Sequence, residues 1–257
     1  MRTAIVGYGR MGHEIERVLV DRGHEVAAIV DPAGPATASA PVHTSLSEKA
    51  LARCDVAIEF SSPDAVLQNA TFYANSATPA VIGTTGWLDQ LRDLENVMAE
   101  AKVGIIYGSN FSIGAHIFVA AARYAASLVR DIEDYDLMIH EMHHRKKKDS
   151  PSGTAITLAE AVLDAVPRKR RMETGRLDRA PDPDELHVSS SRCGAIPGTH
   201  TLYLDSTADT IQVSHQARSR GGFALGAVLA AEWVIGKQGI HPVESFIKDL
   251  LHGSSGG

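Results

Sequence analysis

Three glycines follow the first apolar run of the chain and constrain how its beginning can fold. The run Thr3–Gly7 predicts a short strand, Gly7, Gly9 and Gly12 form the pattern G-x-G-x-x-G, and the amphipathic stretch His13–Arg22 comes next. In dinucleotide-binding folds these glycines allow a tight turn, close approach to a pyrophosphate and close helix–strand packing, respectively. The free N–H groups that begin the helix then face the phosphates. The pattern predicts a dinucleotide site, with a purely structural glycine turn as the alternative.

An acid ends the second predicted strand. Glu25–Val30 is an apolar run, and Asp31 follows it, 19 residues after Gly12. An acid at this position hydrogen-bonds the adenosine ribose of NAD; the alternative is an ordinary turn acid. Pro32 comes next, and no adjacent arginine could meet a 2′-phosphate, although Arg10 inside the glycine turn could partly compensate. These residues therefore favour NADH over NADPH.

Strand-like and helix-like segments alternate through the rest of the first half. Two of the apolar runs end in loops of small and hydrogen-bonding residues, Gly83-Thr84-Thr85 and Gly108-Ser109-Asn110-Phe111. The alternation predicts a parallel, doubly wound sheet. Ligands of such sheets lie outside the carboxyl ends of the strands, so we expect both loops beside a nicotinamide, with ordinary turns as the alternative. The further predicted strands are Asp55–Phe60, Ala80–Ile82 and Val103–Tyr107.

The pattern changes after Phe111. A long helix, an extended segment and a second helix are followed by a polar surface loop, three strand-like runs and a final helix. Strands in series with short turns predict an antiparallel or mixed sheet. We therefore expect an α/β fold, with a Rossmann-type doubly wound parallel sheet in residues 1–111 and 221–257 and a second α+β domain with a mixed or antiparallel sheet in residues 112–220. The segments are Ile113–Arg130, Asp136–His143, Thr154–Val166, Pro167–Glu185, His187–Arg192, His200–Leu204, Thr210–His215 and Phe223–Gly236.

The sequence HEMHH at His140–His144 matches the zinc-protease pattern H-E-x-x-H. That pattern requires a helix, on which both histidines share one face, and a third ligand. The preceding segment Asp134–Ile139 lacks helical periodicity, and the four cations Arg145–Lys148 would oppose a bound Zn²⁺. We therefore expect no metal, and no site role for His140 or Glu141.

The residues after these cations begin a helix. The sequence Ser150-Pro151-Ser152-Gly153-Thr154 is typical of a helix start. The N–H groups of Gly153 and Thr154 would have no partner within the helix and would suit a carboxylate. The histidines and lysines just before them can exchange protons or hold a carboxylate. The element predicts a site for a small anion, with a solvated basic loop beside an N-capped helix as the alternative.

The stretch His143–Ala155, HHRKKKDSPSGTA, resembles the signature H-H-x-x-K-x-D-x-P-S-G-T-A of the 4-hydroxy-tetrahydrodipicolinate reductase (dihydrodipicolinate reductase) family. Enzymes of this family act in lysine and diaminopimelate biosynthesis. Shorter blocks along nearly the whole chain are similar to family blocks and follow the family order. They are Gly9–Gly12, Ile82–Gly86, Asn110–Gly114 and Ser191–His200. The long signature is specific, whereas G-x-G-x-x-G occurs in many dinucleotide-binding folds.

The resemblance implies an NAD(P)H-dependent oxidoreductase that reduces 4-hydroxy-2,3,4,5-tetrahydrodipicolinate, via dihydrodipicolinate, to tetrahydrodipicolinate. His143 would be the acid–base residue and Lys147 the proton donor. His144 and the amides of Gly153 and Thr154 would hold the carboxylates of this small cyclic imine.

The resemblance also implies further contacts and an assembly. Arg220 aligns with a substrate-contacting position, with Arg218 as the alternative, and the second domain would bind substrate and form a homotetramer through its sheet. Pro32 stands where many members have a basic residue, which again favours NADH. The residues that would contact the nicotinamide cofactor are Gly7, Tyr8, Gly9, Arg10, Met11, Gly12, Asp31, Gly83, Thr84, Thr85, Gly108, Ser109, Asn110 and Phe111.

Composition argues against several other classes of protein. A net charge of −6 is unusual for a general nucleic-acid binder. Cys54 and Cys193 form no CxxC pair and predict free thiols in a reducing compartment. We expect a cytoplasmic protein without a secretory signal or membrane span, and a flexible tail at Gly253–Gly257. Two alternatives remain open: another two-domain dehydrogenase of amino or keto acids, and a non-catalytic NAD-binding sensor.

Overall fold

The computed structural model describes residues 1–34 and 38–253. The chain divides into two compact units, one formed by Met1–Ile113 with the chain from Arg220 on, the other by Gly114–Ser219. The helices and strands, in chain order, are β1 (Arg2–Val6), α1 (Arg10–Asp21), β2 (Glu25–Val30), β3 (Val42–His43), α2 (Glu48–Leu51), β4 (Val56–Glu59), α3 (Val66–Asn75), β5 (Ala80–Ile82), α4 (Leu91–Met98), β6 (Gly104–Tyr107), α5 (Ile113–Leu128), β7 (Asp136–His143), α6 (Gly153–Ala165), β8 (Arg171–Glu173), β9 (Glu185–Arg192), β10 (Thr199–Asp205), β11 (Thr210–Gln216), α7 (Gly221–Val234), β12 (Gly239–Pro242) and α8 (Val243–His252).

The first unit is built on a parallel sheet of seven strands in the order β12-β6-β5-β4-β1-β2-β3. The strands are apolar on both faces. On β1, Ile5 packs into one apolar layer with residues of α1, α7 and α8, whereas Ala4 and Val6 pack into the opposite layer with residues of α2, α3 and α4. A parallel sheet covered on both faces is the doubly wound arrangement. The predicted Rossmann-type fold is confirmed.

The second unit contains a five-stranded sheet in the order β11-β10-β7-β9-β8. β7 and β8 each pair with β9 in parallel, whereas β10 pairs antiparallel with both β7 and β11. The sheet is therefore mixed, one of the two predicted arrangements. Helices α5 and α6 cover one of its faces, where Ile139 and Leu202 pack against Phe118 and Leu158.

The predicted surface loop over residues 167–185 is wrong in part. It contains β8, and Lys169 and Glu185 are only 3% and 2% exposed. Glu185 accepts hydrogen bonds from Arg171 and Arg179, at 3.1 and 2.7 Å, and its carbonyl oxygen accepts one from Lys169 Nζ at 2.7 Å. This segment is buried through charged residues that pair with one another. It therefore lacks the apolar periodicity from which a buried strand is predicted.

The sequence pattern also gave no indication of β3, α2, β12 or α8. Two of these, β12 and α8, follow α7 in the first unit. Among the described residues, no helix combines the length and the apolar composition needed to cross a membrane. The predicted flexible tail lies, beyond Gly253, outside the described residues.

Candidate active site

The glycine turn connects β1 to α1. Gly7 has φ +89°, and a Cβ atom there would lie 2.1 Å from the carbonyl oxygen of Phe60. A Cβ atom on Gly12 would lie 2.5 Å from the carbonyl oxygen of Gly7, whereas one on Gly9 would meet no atom within 4 Å. Packing therefore requires glycine at Gly7 and Gly12. The space beside Gly9, at the beginning of α1, is open.

Asp31 lies at the end of β2 and is held by two backbone donors. Its Oδ2 accepts a hydrogen bond from the N–H of Tyr8 at 2.7 Å, and its Oδ1 accepts one from the N–H of Ala33 at 2.8 Å. The Tyr8 hydroxyl donates to Glu16, and its ring packs on His13 with centroids 4.2 Å apart. Burial and the hydrogen bond to Glu16 raise the pKa of Tyr8 to about 12, so the hydroxyl stays protonated.

A cavity of about 440 Å³ lies beside the glycine turn, within the first unit. Gly7, Gly9 and Asp31 line it. Further lining residues were not predicted from the sequence, among them Phe60 and Ser61. The other predicted cofactor residues are not part of this lining. The cavity size is in the range of small-molecule sites.

The two predicted nicotinamide loops are largely shaped by packing. Thr84 is buried; its Oγ1 accepts the N–H of Ser61 at 2.8 Å. A Cβ atom on Gly83 would lie 2.1 Å from the Phe60 ring, and one on Gly108 would lie 2.6 Å from Val243. Phe111 is 1% exposed, and Asn110 Oδ1 accepts the N–H of Ser112 at 2.9 Å. Thr85 and Ser109 are exposed at these loops.

Glu59, the last residue of β4, is a buried acid that the sequence reading missed. It accepts hydrogen bonds from Asn69 Nδ2 and Tyr73 Oη, both at 2.8 Å, and from the Ser61 hydroxyl. Burial raises the pKa of Glu59 and outweighs these three hydrogen bonds. Because Ser61 and Asn69 line the cavity, Glu59 supports two of its walls. The sequence feature that could have indicated Glu59 is its position as a charged residue at the end of an apolar strand.

In the five-stranded sheet of the second unit, a row of polar side chains runs across neighbouring strands and borders the apolar core. Glu141 on β7 lies opposite His200 on β10 and Ser190 on β9, and His200 lies opposite His215 on β11. Side chains two residues apart on a strand share a face. These polar residues therefore continue the core face of their strands. The preceding row on the same face is Ile139, Val188, Leu202 and Val213.

Glu141 is 0% exposed and lies between Arg192 and His143. Its Oε1 accepts a hydrogen bond from Arg192 Nη1 at 2.8 Å, and its Oε2 contacts Nδ1 of His143. Glu141 therefore lies beside the predicted acid–base residue His143, although the sequence predicts no role for it. HEMHH ends a strand rather than forming a helix, so Glu141 and His143 share the buried face, while His140 points to the opposite face and contacts Ser189 at 2.8 Å.

Burial lowers the pKa of His143. The nearby cations Lys147 and Arg192 act in the same direction, and the carboxylate of Glu141 opposes them. In the described part of the chain, Glu141, His143 and His200 offer possible ligand atoms within 4.8 Å of one another. Because Arg192 already pairs with Glu141, this cluster has little negative charge to offer a metal cation.

The predicted proton donor lies on the loop after β7. Lys147 Nζ pairs with Asp149 Oδ2 at 2.7 Å, and the Lys147 N–H donates to the carbonyl oxygen of His144 at 3.0 Å. This ion pair lowers the pKa of Asp149. The Lys147 side chain is 23% exposed, so it is only partly buried.

Helix α6 begins directly after this loop. Ser152 Oγ accepts the N–H of Ala155 at 3.2 Å and lies 3.0 Å from Nε2 of His200. The N–H groups of Gly153 and Thr154 precede the helix's own hydrogen bonds, which makes them suitable for a carboxylate. A Cβ atom on Gly153 would meet nothing within 4 Å, so the space beside this residue is open.

The candidate residues are divided between the two units. Those of the glycine turn and the strand-end loops belong to the first unit. His143, His144, Lys147, Gly153 and Thr154 belong to the second. Both candidate arginines are exposed; Arg218 belongs to the second unit and Arg220, at the beginning of α7, to the first.

Comparison with known proteins gives a consistent match. Family models for the N-terminus and the C-terminus of dihydrodipicolinate reductase match residues 1–111 and 114–247. A 4-hydroxy-tetrahydrodipicolinate reductase of Christiangramia forsetii is 39% identical over 251 residues, covering 98% of this chain and 99% of that protein. One from Archaeoglobus fulgidus is 34% identical over 264 residues, covering 96% and 100%.

A solved structure shares the fold. The dipicolinate-bound dihydrodipicolinate reductase of Paenisporosarcina sp. TG-14 has a TM-score of 0.74 at 24% identity, covering 94% of this chain and 97% of that one. The two family models together span nearly the whole chain, and the curated relatives match over their full length. The chain therefore belongs to the dihydrodipicolinate reductase family.

Proposed function

We propose that the protein catalyses the NAD(P)H-dependent reduction of 4-hydroxy-2,3,4,5-tetrahydrodipicolinate, via dihydrodipicolinate, to tetrahydrodipicolinate in diaminopimelate and lysine biosynthesis. The observation that carries this proposal is the cluster at the end of β7. There the buried His143, the partly buried Lys147 and the N–H groups of Gly153 and Thr154 occur on one short stretch. This stretch matches the family signature residue by residue.

The chemistry of the substrate fits these residues. Two carboxylates require hydrogen-bond donors, which the ring of His144 and the N–H groups of Gly153 and Thr154 would supply. Loss of water gives a conjugated imine, and a bound dihydronicotinamide supplies the hydride for carbon 4. The ring then needs one proton. Lys147 would donate it, and His143 would relay its replacement.

The cofactor proposal rests on the first unit. The open space beside Gly9, the first-turn amides of α1 and the cavity lined by Gly7 and Asp31 suit a dinucleotide. Asp31 would accept hydrogen bonds from the adenosine ribose. Pro32 follows it, at a position where a basic side chain could pair with the 2′-phosphate of NADPH. We expect the protein to use NADH in preference to NADPH. Kinetics with each cofactor test this preference.

We also propose a homotetramer in the cytoplasm, assembled through the mixed sheet. Helices α5 and α6 pack on one face of that sheet. On the opposite face Met138 is 37% exposed and lies opposite Tyr203. Light scattering after size exclusion should give four chains for the wild type and a smaller species for Met138→Glu. A monomeric wild type would contradict this assembly.

Steady-state kinetics with freshly made imine substrate test the catalytic proposal. We expect NADH oxidation that depends on the imine, and severe loss of turnover in Lys147→Ala. Another dehydrogenase would turn over other amino or keto acids and ignore the imine. A sensor would bind NADH in calorimetry without turnover of any substrate. A near wild-type rate in Lys147→Ala would contradict the role given to this lysine.

A further inference from the structure

Glu141 is buried beside the proposed acid–base residue, yet the proposed chemistry gives it no task. Its two oxygens face different partners: Oε1 accepts from Arg192, and Oε2 contacts Nδ1 of His143. Both atoms are buried, and within the described residues neither forms a hydrogen bond of regular geometry. The close contact between them is therefore the interaction available to both.

We propose that Glu141 is the positioning residue of His143. Its carboxylate accepts the Nδ1–H of the imidazole and thereby makes Nε2 the atom that exchanges protons during turnover. This inference rests on the proposed function, since it assigns Glu141 a role through His143. A carboxylate that fixes the tautomer and stabilises the imidazolium is a general device of acid–base catalysis.

The surroundings of the ring leave little room for another orientation. A Cβ atom on Gly198, whose φ is +149°, would lie 2.9 Å from Nε2 of His143. The ring of His200 packs against His143 edge-on, with centroids 5.1 Å apart. The residue at position 198 must therefore be small for the ring to lie where it does, with Nδ1 directed at Glu141.

The charges around the pair keep the carboxylate ionised. Burial disfavours the charged form of Glu141, but the neighbouring Ser190 and the hydrogen bond and charge of Arg192 outweigh it and lower the pKa of Glu141. The groups that face His143 are Glu141 on its own strand, Arg192 on β9, His200 on β10 and Lys147 on the following loop. Among them Glu141 carries the negative charge, which stabilises the imidazolium.

Arg192 has a second role in the same arrangement. Its Nη2 donates to the carbonyl oxygen of Asp149 at 2.6 Å while its Nη1 holds Glu141. Asp149 also pairs with Lys147. The carboxylate that orients His143 is thus connected, through one guanidinium, to the loop that carries the proposed proton donor.

The test compares Glu141→Gln with Glu185→Gln. Glu185 is the matched control because it is also a buried glutamate of the second unit paired with arginines, but it lies away from His143. We expect kcat of Glu141→Gln to fall about 10²-fold with KM changed less than about 3-fold. The limb of the pH–rate profile that His143 controls should move to lower pH, and Glu141→Asp should recover part of kcat.

Two further measurements separate positioning from a merely structural role. In the wild type, the side-chain ¹⁵N shifts of His143 should report the Nδ1–H tautomer; a predominant Nε2–H tautomer would overturn the proposal, even if no variant folds. In a His143→Gln background, adding Glu141→Gln should change kcat little, because Glu141 acts through His143. Additive losses would contradict it.

Failure of this inference can be told from failure of the proposed function. If His143→Gln keeps wild-type turnover of the imine, the acid–base role of His143 is wrong. If His143→Gln loses turnover of the imine while Glu141→Gln keeps both the wild-type kcat and the wild-type pH profile, Glu141 is a structural ion-pair partner only. Equal losses in Glu141→Gln and Glu185→Gln, with unmoved pH profiles, would lead to the same conclusion.

Discussion

The backbone N–H of Tyr8 donates a hydrogen bond of 2.7 Å to Oδ2 of Asp31, which ties the glycine turn to the end of the second strand. The other oxygen accepts the N–H of Ala33. Each carboxylate oxygen retains a lone pair that a ribose hydroxyl can use, whereas a 2′-phosphate there would meet a negative charge.

Replacing this acid should change the choice of cofactor. In Asp31→Ser we expect the ratio of kcat/KM for NADPH to that for NADH to rise about 10-fold or more, because the charge repulsion is removed. Steady-state kinetics with both cofactors measure the ratio, with Asp21→Ser, an exposed acid of the same unit, as the control. An unchanged ratio in Asp31→Ser would place cofactor selection elsewhere.

Two glycines of the same turn should fail in different ways. Gly7→Ala places a Cβ atom 2.1 Å from a backbone oxygen at φ +89°, so we expect a loss of more than about 2 kcal/mol in the free energy of unfolding. Gly9→Ala meets no neighbour and should stay within about 1 kcal/mol of the wild type. Its added methyl group should nevertheless raise the Kd for NADH about 10-fold or more.

Urea denaturation and calorimetric titration with NADH distinguish the two variants. The titration tests whether a phosphate of NADH occupies the space beside Gly9. If Gly9→Ala binds NADH as tightly as the wild type, the open space at that position does not hold the cofactor.

Lys147 should be separable from the cations around it. We expect Lys147→Met to lower kcat about 10²-fold or more, since a positioned acid contributes that much to a protonation step. Lys148→Met, an exposed neighbour in the same cationic run, should keep the wild-type rate. Rates measured at saturating imine and NADH test the contrast. Equal losses in the two variants would indicate a general need for positive charge rather than one proton donor.

Stability should fall on acidification because of His200. Burial lowers the pKa of His200 to about 4, and the neighbouring His143 acts in the same direction. In the unfolded chain a histidine titrates near 6.5, so the unfolded state takes up a proton first as the pH falls. The stability present above about pH 6.5 is therefore lost as the pH falls towards 4.

The size of this effect can be measured directly. Between pH 7 and pH 5 the contribution of His200 to the free energy of unfolding should decrease by about 2 kcal/mol. Urea denaturation at both pH values should show a pH dependence smaller by that amount in His200→Gln than in the wild type. The same pH dependence in both proteins would mean that the histidine is not buried in its neutral form.

Local patterns were sufficient for the framework of the fold. Strand–helix alternation and the context of the three glycines predicted the doubly wound sheet, because helix and strand periods are properties of neighbouring residues. The start of α6 was predicted to within one residue, at Thr154 rather than Gly153, for the same reason, since Ser152 caps the helix from within the same turn. The position of His143 at the end of a strand also followed from its immediate sequence.

Only the tertiary structure revealed the partners of these residues. Glu141 matches part of a zinc-protease pattern, and its local sequence predicts no site role for it. Strand pairing nevertheless brings Arg192, 51 residues later, to its carboxylate and places His200 opposite it. Glu59 likewise meets Asn69 and Tyr73 from the helix that follows its strand. The sequence by itself determined which elements form and where the family's functional residues lie along the chain. Which charges are buried together was decided by strand register, because register depends on distant pairing that no local period contains.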